Sequence, residues 1–144
     1  MADTYELQLA LDLPDSLAPG ELALLRWHLG EEGGAQDEGY EHPLWDGRGW
    51  ARRIGGLQVA ELRPVDWGWA LTVRQEAHPD DFHDLRRIVQ WLGARSITSG
   101  PIGYLRFYES HVPDMFIVQS GTVTCTSLHV EKTVEVASEQ YPYT

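Results

Sequence analysis

Cysteine is almost missing from this chain, because Cys125 is the only one among 144 residues. A single cysteine cannot form an internal disulfide. The N-terminal residues also lack the basic patch and the apolar core of a secretory signal peptide. Both absences lead us to expect a soluble, cytoplasmic protein in a reducing compartment. No apolar run approaches the ~20 residues that a membrane span needs, so no membrane association is expected.

Positive charge is the second scarce component. The chain has 11 lysines and arginines against 22 aspartates and glutamates, a formal net charge of −11, and Lys132 is its single lysine. Such acidity argues against binding a phosphate backbone, so we expect no nucleic-acid partner. It is compatible with a basic protein partner, although acidity serves mostly to keep a protein in solution. The preference for arginine over lysine is typical of a GC-rich bacterial genome.

Motifs that fix a reaction are absent as well. There is no Gly-x-Ser-x-Gly elbow, and Cys125 lies among threonines on a predicted strand, where a thiol is typically inert. His78 and His83 are five residues apart, whereas zinc-binding histidines on one helix need a spacing of three or four. The clustered glycines match neither a P-loop nor a dinucleotide-binding loop: Gly47, Gly49, Gly55 and Gly56. We therefore expect no metal, no cofactor and no catalytic residue, and a non-enzymatic protein is favoured over an enzyme.

What the chain does have is one pattern that occurs twice. Residues 5–13 alternate between apolar and polar side chains, which predicts a strand with one buried face. Leucines at helical spacing follow, and Gly30 is the predicted helix stop. The same order returns in a strand at 69–74 and in a helix that starts after Pro79 and ends at Gly93.

Each half is followed by a further strand, so the predicted order is β-α-β-β-α-β. With a right-handed crossover in each half, this order predicts an α+β, ferredoxin-like fold made of two β-α halves. A long insertion separates the first helix from the second strand, and a hairpin is appended near the C-terminus. The expected boundaries are 1–144 for a single domain, about 4–63 and 67–110 for the halves, 31–56 for the insertion and 115–130 for the hairpin, with a tail beyond it.

In a ferredoxin-like sheet the helices cover one face and leave the other open, and strand periodicity assigns nine polar and aromatic residues to the open face. This face could be a ligand platform, a dimer interface, or an ordinary solvated surface with cross-strand ion pairs. The residues are Glu6, Gln8, Asp12, Thr72, Arg74, Glu76, Tyr104, Arg106 and Tyr108.

Six tryptophans make the chain unusually aromatic. Trp27 and Trp91 occupy matching places in the two helices, outside the apolar stripes, and either bind a partner or lie beneath the chain's own loops. The insertion contributes His42, Trp45 and Trp50, which are too aromatic for a solvated linker and are expected to pack on something.

Two functions remain compatible with these sequence features. The favoured one is a non-enzymatic binding or protein-interaction module, a homodimer or the partner of another protein, that uses the open sheet face. The alternative is a small-molecule sensor or enzyme with a pocket between the sheet and residues 40–50. Arg74 and Arg106 would then hold an anion, and His42 or Glu76 would move protons. A third hypothesis, RNA stacking on Tyr104 and Tyr108, conflicts with the net charge.

Overall fold

The computed structural model describes residues 3–31 and 38–136, which form seven strands and two α-helices and define an α+β protein. A 3-10 turn, Pro79–Asp81, leads into the second helix. The elements in chain order are β1 (Tyr5–Pro14), α1 (Pro19–His28), β2 (Gly49–Trp50), β3 (Leu57–Val65), β4 (Gly68–Ala77), α2 (Phe82–Arg95), β5 (Gly100–Phe107), β6 (Asp114–Gln119) and β7 (Thr122–Ser127).

All seven strands form one sheet in the order β2-β3-β4-β1-β5-β6-β7, and neighbouring strands are antiparallel. The central strand β1 is the one predicted from the alternation at residues 5–13. Its four leucines at positions 7, 9, 11 and 13 are at most 4% exposed and share one core with apolar residues of α1 and α2. Burying each leucine stabilises the fold by about 1.5–3 kcal/mol, which explains why β1 occupies the centre.

The sheet differs from the expected four-stranded core. The predicted hairpin is present as β6 and β7, but β6 pairs with β5, so the hairpin extends the main sheet instead of being appended to it. Residues 49–50 of the expected insertion add a short strand at the opposite edge. The order of seven strands is not the expected order of four, and the specific ferredoxin-like arrangement is not supported. An unpaired β5 edge would expose a row of backbone donors and acceptors, and β6 satisfies them.

The second helix is longer than predicted. It runs to Arg95 and does not stop at Gly93, which is buried inside the helix. A Cβ added to Gly93 would overlap the side chain of Val123 in β7. The glycine is therefore needed for close contact between helix and strand and does not end the helix.

Residues 38–48 of the predicted insertion form a strap over the ends of both helices. Trp45 N–H donates to the carbonyl of His28 at 2.9 Å, and the Arg87 guanidinium lies 4.2 Å from the centre of the Tyr40 ring. Residues 32–37, also part of the predicted insertion, lie outside the described residues, as does the C-terminal tail from residue 137.

Candidate functional site

The charged residues predicted for the open face converge on Glu6. Nε of Arg74 donates to Oε2 of Glu6 and Nε of Arg106 donates to Oε1, both at 3.0 Å. Glu6 is only 5% exposed, so its carboxylate is enclosed between the two guanidinium groups. Beside this triad, the hydroxyl of Tyr104 donates to Oε1 of Gln8 at 3.0 Å. Burial, followed by the charge of Glu6, raises the pKa of Tyr104.

The outer nitrogens of both arginines hold the chain's own loops. Arg74 donates through Nη1 and Nη2 to three carbonyls between Ile54 and Leu57, at 2.7–3.3 Å. Arg106 donates through Nη1 to the carbonyls of Phe107, Tyr108 and Ser110, at 2.8–3.3 Å. These charge-assisted hydrogen bonds fix two loops and engage both outer nitrogens of Arg74 and Nη1 of Arg106, which a ligand would otherwise use.

Glu76 and Tyr108, two further predicted face residues, contact the loop before β3. The carboxylate of Glu76 accepts hydrogen bonds from the backbone N–H groups of Arg52 and Arg53, at 2.9 and 2.7 Å. The guanidinium of Arg53 lies 5.9 Å from the centre of the Tyr108 ring. This loop therefore lies against the Glu76 end of the face.

Farther along the same face, around Ala10 of β1, small side chains lie next to the exposed ion pair of Glu61 and Arg63 on β3. Ala10 of β1 and Thr72 of β4 are directly opposite each other in the register, and both are exposed. Thr124 and Thr126 of β7 are exposed as well. Trp67 lies at the turn between β3 and β4, 58% exposed, and its indole N–H donates to Asp12 at 3.0 Å.

An aromatic cluster lies beneath the strap of residues 38–48. Its centre is His28, fully buried, with Tyr40 at 4.5 Å, Trp27 at 4.8 Å and Trp45 at 5.7 Å between ring centres. Trp45 is 1% exposed, so it packs into the core, as expected from the aromatic character of this loop. A cavity of about 20 Å³ beside Trp45 has room for one water molecule and not for a larger ligand.

His28, which no sequence pattern singled out, is a strongly perturbed ionisable group. Its Nδ1 accepts a hydrogen bond from the backbone N–H of Leu44 at 3.2 Å, so the neutral ring carries its proton on Nε2. Burial lowers its pKa to about 4. Neither His28 Nε2 nor Trp45 Nε1 has a hydrogen-bond partner within the described ranges.

The remaining predicted aromatic and loop residues lie apart from one another. His42 is exposed, with Nε2 2.9 Å from Oδ1 of Asp81, and a hydrogen bond to the Pro43 carbonyl is the main cause of its raised pKa. Trp50 on β2 is 78% exposed, so the expectation that it packs against another part of the chain is wrong. Trp91 is half-buried beneath the guanidinium of Arg95, 4.0 Å from its ring centre.

An apolar groove of about 570 Å³ lies on the helix-bearing side of the sheet. We call it the inner groove. It separates α2 from strands β5, β6 and β7, and most of its surface is carbon. Its lining residues are Phe82, Leu85, Arg86, Val89, Gln90, Leu105, Phe116, Val123 and Cys125.

The inner groove exists because α2 touches the outer strands at one end only. At Gly93 the helix backbone meets Val123 directly. Near the same point the Gln90 amide clasps the backbone of Val123, donating to its carbonyl at 2.8 Å and accepting from its N–H at 3.2 Å. In the described ranges no hydrogen bond joins the Phe82 end of α2 to β5, β6 or β7, and the groove lies along that end.

Few polar groups reach the inner groove. The Gln90 amide is already engaged with β7, and Cys125 is exposed at the groove's edge, where partial burial raises the pKa of its thiol. Arg86 is exposed, and within residues 3–31 and 38–136 it has no ion pair and no hydrogen bond. Asp114 lies opposite Leu105 in the register, and its charge contributes to the raised thiol pKa.

The inner groove was not predicted from the sequence, although one signal was available. Val123 and Cys125 alternate with threonines on the second strand of the predicted hairpin, which indicates a strand with one buried face. Only two helices are predicted, and both belong to the β-α halves. A hairpin that joins the sheet therefore has no helix of its own to cover its apolar face. Partial cover by α2 leaves the groove.

No group of three His, Cys, Asp or Glu side chains in the described ranges could hold a metal ion. No helix in the same ranges is both long and apolar enough to cross a membrane. Comparison with protein-family models, with curated proteins and with solved structures finds no match for this chain.

Proposed function

We propose that this protein binds a small, largely apolar molecule in the inner groove and does so without catalysis. The observation that carries the proposal is the apolar space of about 570 Å³ between α2 and the outer strands. Ligand sites typically measure about 300–1,000 Å³ and are lined mostly by apolar side chains with few polar groups. The inner groove has that size and that lining, and burial raises the pKa of the one thiol that lines it, Cys125.

The proposal can be tested by filling the groove from its exposed edge. Cys125 faces the groove, whereas its neighbour Thr126 on β7 points to the opposite face of the sheet and is exposed. We expect saturable binding of the neutral probe N-phenyl-1-naphthylamine to the unaltered protein, followed by fluorescence. Cys125→Trp should weaken this binding at least tenfold, and Thr126→Trp should leave it unchanged.

Two results would contradict the proposal that a small molecule binds in the inner groove. One is equal binding by the Cys125→Trp and Thr126→Trp proteins, because the probe would then lie elsewhere. The other is no saturable binding by the unaltered protein, accompanied by a dimer in native mass spectrometry that Cys125→Trp dissociates. A second copy of the chain would then be the occupant of the groove.

A second candidate is the protein-interaction role of the open sheet face, with a homodimer as the simplest form. The observation that favours it is that Ala10 and Thr72, directly opposite each other in the register, are both exposed on this face. Thr72→Arg would place like charges against each other across a two-fold interface and should convert a dimer to a monomer in native mass spectrometry. His83→Arg adds the same charge on α2, outside this face, and should leave a dimer intact. A monomeric unaltered protein would remove this candidate.

For the fold itself, we propose that the inner strands and the two helices form a ferredoxin-like unit to which outer strands have been added. Support comes from the contiguous, antiparallel order β3-β4-β1-β5 and from the helices that follow β1 and β4. In this proposal β2, β6 and β7 are additions at the two edges.

A further inference from the structure

We infer that the ligand of the inner groove is an amphiphile with one carboxylate, whose head group pairs with Arg86 and whose apolar chain lies between α2 and the outer strands. The inference rests on the proposed function, because it requires a ligand in the groove. It adds the chemical class of that ligand.

Arg86 differs from the other two arginines of α2. Arg87 lies 3.5 Å from the carboxylate of Asp84 and also contacts Tyr40, whereas Arg95 pairs with Glu21. In the described part of the chain Arg86 has neither an ion pair nor a hydrogen bond, although the protein carries 22 acidic residues. Among the arginines of α2, Arg86 is therefore the one whose guanidinium is available to pair with a ligand, and it lines the groove.

The position of Arg86 suits a molecule with one polar end. Its methylene stem can lie along the groove while the guanidinium stays at the solvent edge, as long basic side chains usually do. Leu85, Val89, Leu105 and Phe116 offer only carbon to a ligand inside the groove. The polar head must therefore meet Arg86, which can bind a carboxylate through two parallel hydrogen bonds.

Asp114 limits the charge of the ligand. It lies on the groove side of β6, opposite Leu105, and its charge acts on the Cys125 thiol within the groove. A ligand with a second negative charge would bring that charge toward Asp114 and into the field of a protein of net charge −11. These charges favour a monocarboxylate over a dianionic phosphate.

Dodecanoate and dodecan-1-ol test the inference, because they share the apolar chain and differ in the charge of the head. Their affinities can be measured at pH 7.5 by displacement of N-phenyl-1-naphthylamine from the unaltered protein and from three variants. Arg86→Gln should weaken dodecanoate binding about five- to tenfold and leave dodecan-1-ol binding unchanged. Asp114→Asn should strengthen dodecanoate binding about twofold, again without an effect on the alcohol.

Arg63→Gln is the matched control, because it removes the same charge from an exposed site on β3. It should change neither affinity by more than the experimental error. If Arg86→Gln leaves dodecanoate binding unchanged, or weakens both ligands equally, the inference is wrong while the groove remains a binding site. If the unaltered protein binds the probe and neither dodecyl compound, the carboxylate class is also wrong. If it binds none of the three, the proposed function and the inference both fail.

Discussion

Single residues matter most where polar side chains are buried, and the described part of the chain buries three of them: Glu6, His28 and Gln75. The Gln75 side-chain amide holds the strap of residues 38–48 in place. It accepts a hydrogen bond from the Gly47 N–H and donates one to the Gly47 carbonyl, each at 3.0 Å. Each of the three is tied to groups distant in sequence. Removing one partner should therefore lower the free energy of unfolding more than a surface substitution would.

Arg106→Gln tests the triad around Glu6. The change leaves Glu6 with one guanidinium and releases the carbonyls at residues 107–110 that Arg106 holds. Breaking a buried ion pair typically costs 3–5 kcal/mol. Because the Arg106 side chain is 22% exposed, we expect a smaller loss of about 2 kcal/mol in the free energy of unfolding. Urea denaturation measures this loss, and Arg63→Gln, at an exposed pair, should leave the midpoint unchanged. Equal midpoints for the two variants would contradict a structural role for the triad.

The second residue-scale prediction concerns acid. Burial lowers the pKa of His28 to about 4 in the folded protein, whereas an unfolded histidine titrates near about 6.5. The unfolded chain therefore binds the proton more readily, and stability falls as the pH drops from about 6.5 toward 4. The total loss from this residue is about 3 kcal/mol, from about 1.4 kcal/mol per pH unit.

Urea midpoints between pH 4.5 and 7.5 measure this dependence. His28→Leu should be less stable at pH 7, because Leu44 N–H loses its acceptor, and should have a flatter pH profile than the unaltered protein. His83→Gln, at an exposed position on α2, should keep the original profile. A profile for His28→Leu as steep as that of the unaltered protein would show that other groups cause the acid sensitivity.

At the scale of elements, the packing of α2 on β7 decides whether the inner groove exists. Gly93 permits the close approach, and Gly20 in α1 provides a comparison, because a Cβ there would have no atom within 4 Å. Ala is the better helix former at both positions, by up to about 1 kcal/mol. The two glycines should nevertheless respond in opposite directions to the same substitution.

We expect Gly93→Ala to destabilise the protein by about 1–3 kcal/mol, because the new methyl group overlaps the Val123 side chain. Gly20→Ala should be neutral or stabilising. Adding Val123→Ala to Gly93→Ala should recover part of the loss, since the two sites are in contact and their effects are not additive. Free energies from urea denaturation of the four proteins provide the measurement. Destabilisation by Gly20→Ala of the same size would mean that helix propensity and not the contact governs both sites.

The elements themselves were predictable where the signal is local. The alternation of leucines at residues 5–13 identified β1 and its buried face, because successive side chains of a strand point to opposite faces. The apolar stripe of α2 identified that helix in the same way. The β6–β7 hairpin was predictable from its turn, but the pairing of β6 with β5 was not, since it depends on backbone hydrogen bonds that carry no side-chain pattern.

The candidate sites were less predictable, because they depend on contacts between distant positions. Arg74 was assigned to the correct strand, but besides Glu6 its acceptors are backbone carbonyls 17–20 positions earlier, to which no residue type points. The inner groove depends on how α2 lies across the sheet, which is set by Gly93 and Gln90 after the chain has folded. From the sequence alone, Gly93 was interpreted only as a helix stop.

At the scale of the whole molecule, charge and sheet geometry act on association in opposite directions. A net charge of −11 makes copies of the protein repel each other, and salt near 0.15 M reduces the range of that repulsion to about 8 Å. Tests of a dimer are therefore informative at physiological salt, where the open face can approach a partner.

The two hydrogen bonds between Gln90 and Val123 should also protect the protein against aggregation. β7 is the last strand of the sheet, and an exposed edge strand is a template on which another chain can add a strand. The Gln90 amide occupies both the N–H and the carbonyl of Val123, so an incoming strand finds no free backbone partner there. As the protein is concentrated, Gln90→Leu should therefore increase light scattering and thioflavin T fluorescence. The control variant Gln119→Leu should increase neither. The helix that forms one wall of the groove thus also prevents growth of the sheet into fibres.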